Sequence, residues 1–194
     1  MEALRILGDE HQSLAAILHA VRFMLKEVVS GRLQPDLRLF EAMIHYLDAY
    51  PEKRHHPKED ILFARLKART SEGAEALAEL DRQHQASAER IQALEAALAA
   101  YAADPTKLAD FAAAFDHYAD FYRSHMLLEE REALPLARKV LTAEDWAEVD
   151  RAFTQDRDPM SGTRGKPEDF ADVFSKLVAA APAPIGLGAG PYRG

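Results

Sequence analysis

The chain contains no cysteine. That excludes disulfides, thiolate metal sites and cysteine nucleophiles. No stretch approaches the ~20 consecutive apolar residues of a membrane span. The opening MEALRILGDEH also lacks the basic flank and apolar run of a signal peptide. A cytoplasmic location without a membrane partner is therefore expected. There is no long basic run and the formal net charge is -8, which argues against a nucleic-acid partner. Glycine is scarce before residue 160 and no window alternates with period two, so a strand-built fold is excluded. Neither a nucleotide-binding loop, nor a serine triad, nor a carboxylate pair suited to glycoside hydrolysis is found.

What is present is alanine, leucine and eight histidines in a chain of 194 residues, 48% hydrophobic, enough for one domain. The periodicity predicts a first helix from about Ala3 to Ser30, ended by Gly31. Its seam is Leu4, Leu7, His11, Leu14, Leu18, Val21, Leu25 and Val28, in steps of three and four. A third helix is predicted from about Ser71 to Tyr101, with Leu77, Leu80, His84, Ser87, Ile91, Leu94, Leu98 and Tyr101 at the same spacing, shifted by 73. Histidine takes the third slot in both, followed each time by glutamine.

The second and fourth helices repeat each other as well. His55-His56-Pro57-Lys58-Glu59-Asp60 aligns, at a shift of 70, with His125-Met126-Leu127-Leu128-Glu129-Glu130. Each half is thus a helical hairpin, closed near Gln34-Pro35-Asp36 or Asp104-Pro105-Thr106. The two together predict an all-α, antiparallel up-down four-helix bundle over 1–140. Thr142-Ala143-Glu144-Asp145 reads as a helix start. Appended short helices are expected over 141–180, packing on the bundle, and a flexible tail over 181–194.

Residues four apart on a helix point the same way. His55 with Glu59, and His125 with Glu129, can each offer a nitrogen and a carboxylate to one point, and His11 and His84 face inward from the other two helices. Burying a bare carboxylate costs several kcal/mol, so six such residues in two matching sets read as ligands of two metal ions, bridged by carboxylates. Imidazole and oxygen without thiolate favour iron or manganese, with zinc remaining open. His56, about 100° further round the helix, either faces solvent or reaches the second metal from the side, with Pro57 able to bend the helix. Tyr118 and Tyr122 precede His125 on its stripe; a core role weighs against a phenolate ligand or a phenol donating to a bound peroxide. Tyr50 is a weaker candidate; His45 falls on the stripe of His55, but Pro51 between them breaks the phase, and His19 and His117 read as peripheral.

The pattern His, His-x-x-x-Glu, His, His-x-x-x-Glu resembles the hemerythrin-like, or HHE cation-binding, family across roughly residues 4–138. HHPKEDILF is similar to the second-helix motif of its bacterial members. The resemblance implies a non-heme centre of two iron ions, joined by an oxo or hydroxo bridge and held by His11, His55, Glu59, His84, His125 and Glu129. It further implies a small oxygen-derived ligand, either dioxygen or peroxide. Manganese and zinc stand behind iron. Oxygen-carrying members have another histidine four residues after the third-helix one; here that position is Ala88. The expected functions are oxygen-ligand binding with peroxide decomposition, or oxygen, redox or iron sensing or storage without turnover, in a monomer or homodimer.

Rival classes are a metal-free interaction bundle, an inert metal clip and a phosphotransfer bundle using His55-x-x-Lys58.

Overall fold

The computed structural model describes residues 1–155, and all the regular structure among them is helical. The part of the appended helices expected beyond residue 155, and the expected tail, lie outside the described residues. Helix α1 (Glu2–Val29) is one unbroken rod. It stops where Gly31 takes φ +76°, a conformation that favours glycine. Its seam is buried from Leu7 to Val28, with Leu4 half-buried.

The second rod is composite. Helix α2 (Leu37–Leu47), capped by the Asp36 carboxylate on the Leu39 amide, runs into a π-helical turn, Asp48–His55, that contains Pro51. Helix α3 (His56–Arg69) follows directly. The third rod is divided. Helix α4 (Ala74–Gln85) and helix α5 (Ser87–Ala103) meet at Ala86, where a single helix was expected. The cause is local: the Ser87 hydroxyl donates to the His84 carbonyl at 2.7 Å and competes with the backbone there. Ser87, Ile91, Leu94, Leu98 and Tyr101 stay buried on one face. The fourth rod comprises α6 (Leu108–Leu128), a π-helical turn at Glu129–Ala133 and α7 (Leu134–Val140).

Each rod packs against two neighbours: α1 against α2 and α6, and α5 against α2 and α6. The result is the antiparallel four-helix bundle that the repeat predicts. Its apolar interior falls into two clusters. The first surrounds Val21, Phe40, Leu47, Phe111 and Phe115. The second surrounds Ile6, Leu62, Phe63, Leu80 and Ala137 and takes in Trp146, Val149 and Phe153 of α8 (Ala143–Gln155).

Helix α8 lies on α1 and α3. It starts with a reciprocal cap: the Asp145 amide donates to Thr142 Oγ1 at 3.3 Å, and the Thr142 amide donates to the Asp145 carboxylate at 2.9 Å. Arg69 adds two hydrogen bonds to the same carboxylate, at 2.7 and 3.0 Å. None of the helices of the described residues is long and apolar enough to cross a membrane.

Candidate metal centre

Between the two apolar clusters the bundle interior is polar. His11 from α1, His55 at the end of the first π turn, His56 and Glu59 from α3, His125 from α6 and Glu129 at the second π turn are all buried. The His84 side chain, from α4, is only 7% exposed. The structure therefore brings together all six residues singled out from the repeat, and His56 with them. One ligand atom each from His56, Glu59, His84 and His125 falls within 4.8 Å of the others, and the same holds for His11, His55 and Glu59.

The carboxylates sit between the imidazoles. Glu59 Oε1 faces His55 Nε2 at 2.9 Å and His11 Nε2 at 3.5 Å. Its Oε2 faces His84 Nε2 at 3.4 Å and His125 Nε2 at 3.9 Å. Glu129 divides itself likewise, with Oε2 3.1 Å from His11 Nε2 and Oε1 3.4 Å from His125 Nε2. All four of these oxygens, and His11 Nε2, are buried without a hydrogen-bond partner. Such atoms are costly unless a cation meets them, and this donor set fits a pair of metal ions.

A ring of oxygens holds the imidazoles from outside. The Nδ1 atoms pair with Glu130 Oε1 for His11 (3.2 Å), Glu10 Oε2 for His55 (2.6 Å), Asp60 Oδ1 for His84 (2.7 Å) and Gln83 Oε1 for His125 (2.9 Å). An acceptor at Nδ1 fixes the proton there and leaves the Nε2 lone pair aimed inward, as metal-binding imidazoles require. The ring obeys the repeat: Glu10 and Gln83 are 73 apart, Asp60 and Glu130 are 70 apart. Sequence reasoning missed all of these partners. Their signal was adjacency, since each stands immediately before His11 or His84, or immediately after Glu59 or Glu129.

His56 is the largest departure from the phase of a regular helix. It is buried, stacked on His84 with ring centroids 4.3 Å apart. His55 closes the π turn and His56 opens α3, and both are buried at that junction. Tyr118 and Tyr122 are buried too, but their hydroxyls donate to Glu52 Oε1, at 3.1 and 2.6 Å. Burial and the Glu52 charge push both phenols well above their usual range, which keeps them protonated rather than phenolate. The Tyr50 hydroxyl donates to Glu10 at 2.6 Å. His19, His45 and His117 are exposed and outside the cluster.

The electrostatics are those of a site holding protons where cations would sit. Burial opposes charge on His55, yet Glu59 and Glu10 outweigh it and raise its pKa to about 9. Against the same opposition, Asp60 and Glu59 raise His84 to about 10. Glu129 and Glu59 hold His11 well above its usual value, again against burial. Glu59 is pushed up by burial but drawn well below the carboxylate range by His55, His11 and His125.

The hemerythrin HHE cation binding domain matches residues 2–137. The chain belongs to this family. The match runs from the start of α1 into α7 and includes every residue of the cluster; α8 lies beyond it. No curated protein and no solved structure matches the chain significantly. Within the family frame, the position four residues after His84 is Ala88, which is exposed on α5. The phosphotransfer reading fails on burial: His55 is enclosed, and Lys58 is buried on Glu10 at 2.7 Å.

Proposed function

We propose that this HHE protein holds two iron ions and uses them to bind a small oxygen ligand, dioxygen or peroxide, with peroxide decomposition as its activity. The observation that carries the reading is the outer ring of oxygens. It prepares inward-facing Nε2 lone pairs around two carboxylates whose oxygens have no partner. A metal-free scaffold has no use for such an arrangement.

In this reading His11 and His55 would hold one ion, and His84 and His125 the other, with His56 beside them. Glu59 and Glu129 would be shared between the two ions, since each turns one oxygen to either side. Nitrogen and oxygen ligands without sulfur suit iron, ahead of manganese or zinc. A pair of iron ions supplies two-electron exchange with a two-atom oxygen ligand. The chain's part is to orient the imidazoles from rigid helices, to carry the bridging carboxylates and to keep bulk water out.

A second reading, an oxygen or redox sensor without turnover, is favoured by enclosure: Glu59 and Glu129 are 0% exposed and His125 1%. Among the described residues, surface clefts reach the edges of the cluster, one of about 230 Å³ beside His11, Met126 and Glu130 and one of about 500 Å³ beside His84 and Asp60.

Elemental analysis of the purified protein tests the first claim, with two irons per chain expected. Absence of stoichiometric metal after anaerobic reconstitution with ferrous iron would return the protein to the scaffold class. Loaded protein is then mixed with peroxide: turnover supports the enzyme, and a one-time spectral change supports the sensor.

A further inference from the structure

The fifth imidazole, His56, has no counterpart in the other half of the repeat. At a shift of 70 its place is taken by Met126, and the place of Glu52 by Tyr122. Whatever brings His56 into the centre is therefore one-sided. The structure shows a candidate for it in the first π turn. Glu52 lies one turn before His56, and its side chain is 4% exposed.

Its Oε1 accepts the hydroxyls of Tyr118 and Tyr122, at 3.1 and 2.6 Å. Its Oε2 is buried and unpartnered, 3.4 Å from His56 Nδ1, which is also unpartnered. The only Tyr122 hydroxyl proton goes to Glu52, the nearer acceptor. His56 Nε2, 3.3 Å from the same hydroxyl oxygen, thus receives no donor. A proton on Nδ1 faces the Glu52 carboxylate across 3.4 Å, an electrostatic contact between the two orphans, and leaves Nε2 as a bare lone pair. Tyr122 also stacks on the His56 ring, with centroids 5.7 Å apart.

We propose that Glu52, clamped by Tyr118 and Tyr122, is a positioning residue that delivers His56 as the fifth imidazole of the metal centre. The inference rests on the two-metal reading above. It makes the two metal positions unequal: the one beside His84 and His125 gains an imidazole held by Glu52, and among the described residues the one beside His11 and His55 has no such residue. It also accounts for the exposed Ala88, because the additional imidazole comes from the second rod instead of the third.

The test is a titration of metal-free protein with cobalt(II), followed by visible absorption and calorimetry, in wild type, Glu52→Gln, His56→Ala and the double variant. Glutamine cannot both accept from the phenols and accept from His56 through one oxygen. Wild type is expected to take up two cobalt ions. Glu52→Gln should weaken one of the two steps by about 10–100-fold, the usual effect of losing an outer partner of a ligand, with the other step unchanged. The double variant should lose no more than His56→Ala alone, because a residue acting through another is not additive with it.

Tyr122→Phe, which removes only one clamp, should give a smaller loss on the same step and serves if Glu52→Gln does not fold. Two full-affinity cobalt sites in Glu52→Gln or, failing that variant, in Tyr122→Phe would overturn the proposal, as would additive losses. A wild type that takes up no cobalt would overturn the metal reading itself and this inference with it.

Discussion

His84 and His125 point their Nε2 atoms at each other across 3.3 Å. Both rings have already committed their Nδ1 protons, His84 to Asp60 at 2.7 Å and His125 to Gln83 Oε1 at 2.9 Å. The Gln83 amide cannot turn round, because its NH₂ group donates to Glu79 at 2.8 Å. Two inward lone pairs at that separation repel unless a cation lies with them. In the metal-free chain the cation is a proton on His84; in the proposed protein it is a metal ion. His11 and His55, whose ring centroids lie 5.3 Å apart, instead both turn Nε2 to Glu59 Oε1, at 3.5 and 2.9 Å.

The ligand set can be tested by removing the bridges. Glu59→Ala and Glu129→Ala each take away two oxygens placed between imidazoles of different helices, and each is expected to reduce metal loading sharply. His19→Ala and His117→Ala alter exposed positions outside the cluster and should load as wild type. Metal content per chain after dialysis is the readout. Near-full loading in both glutamate variants would reject the set.

Acidity gives a second prediction, with a definite sign. A histidine that holds its proton more tightly when folded stabilises the fold fully below its unfolded pKa, about 6.5. That contribution disappears as pH rises through the folded value, about 9 for His55 and about 10 for His84. Glu59 runs the other way: held well below the usual carboxylate range, its contribution is present above about pH 4.5 and lost as pH falls. The melting temperature of metal-free protein should therefore fall between about pH 6.5 and 10. Bound metal replaces these protons and is favoured as they leave, so the gap between loaded and metal-free protein should widen with pH. A gap that narrows over this range would contradict the assignment.

Much of this architecture was legible in the chain. The steps of three and four in α1 are those of a regular helix, and the shifts of 73 and 70 that carry His11 onto His84 and Glu59 onto Glu129 are those of an internal repeat; both can be counted along the chain. The sequence leaves the direction of His56 open between solvent and the second metal, because a phase counted at a constant angle does not carry through the π-helical segment around Pro51 that precedes it. The break at Ala86 was hidden for a similar reason, since it depends on one serine hydroxyl finding the His84 carbonyl. Glu10, Asp60, Gln83 and Glu130 read as a solvated face when taken singly. Their role exists only across helices, between residues up to 119 apart in sequence.

Lys58 offers a test of the outer ring. Its ammonium group is buried on Glu10 at 2.7 Å and on the Tyr50 hydroxyl at 2.9 Å, and Glu10 in turn accepts from His55. Lys58→Met removes a cation from a buried network and leaves Glu10 under-compensated. The expected cost is about 3–5 kcal/mol, as for one partner of a buried pair. Glu10→Gln added to Lys58→Met should recover part of it. Chemical denaturation of the metal-free forms measures both, and equal stability of the single and double variants would show that Glu10 is not the group left exposed to the loss.

Helix α8 lies beyond the family match, yet the structure makes it part of the second apolar cluster. Phe153 is fully buried there, its ring 5.1 Å from Lys58 Nζ, and Val149 and Trp146 continue the same face. Truncating a buried phenylalanine to alanine costs about 3–5 kcal/mol through lost burial and the cavity left behind. If α8 folds as one unit with the bundle, Phe153→Ala should move the whole urea transition to a lower midpoint without splitting it or changing its slope. If α8 were an independent appendage, the bundle would unfold at the wild-type midpoint and only an early, small phase would shift. The first outcome would also tie α8 to the centre, because Phe153 rests on Lys58, Lys58 on Glu10, and Glu10 on His55.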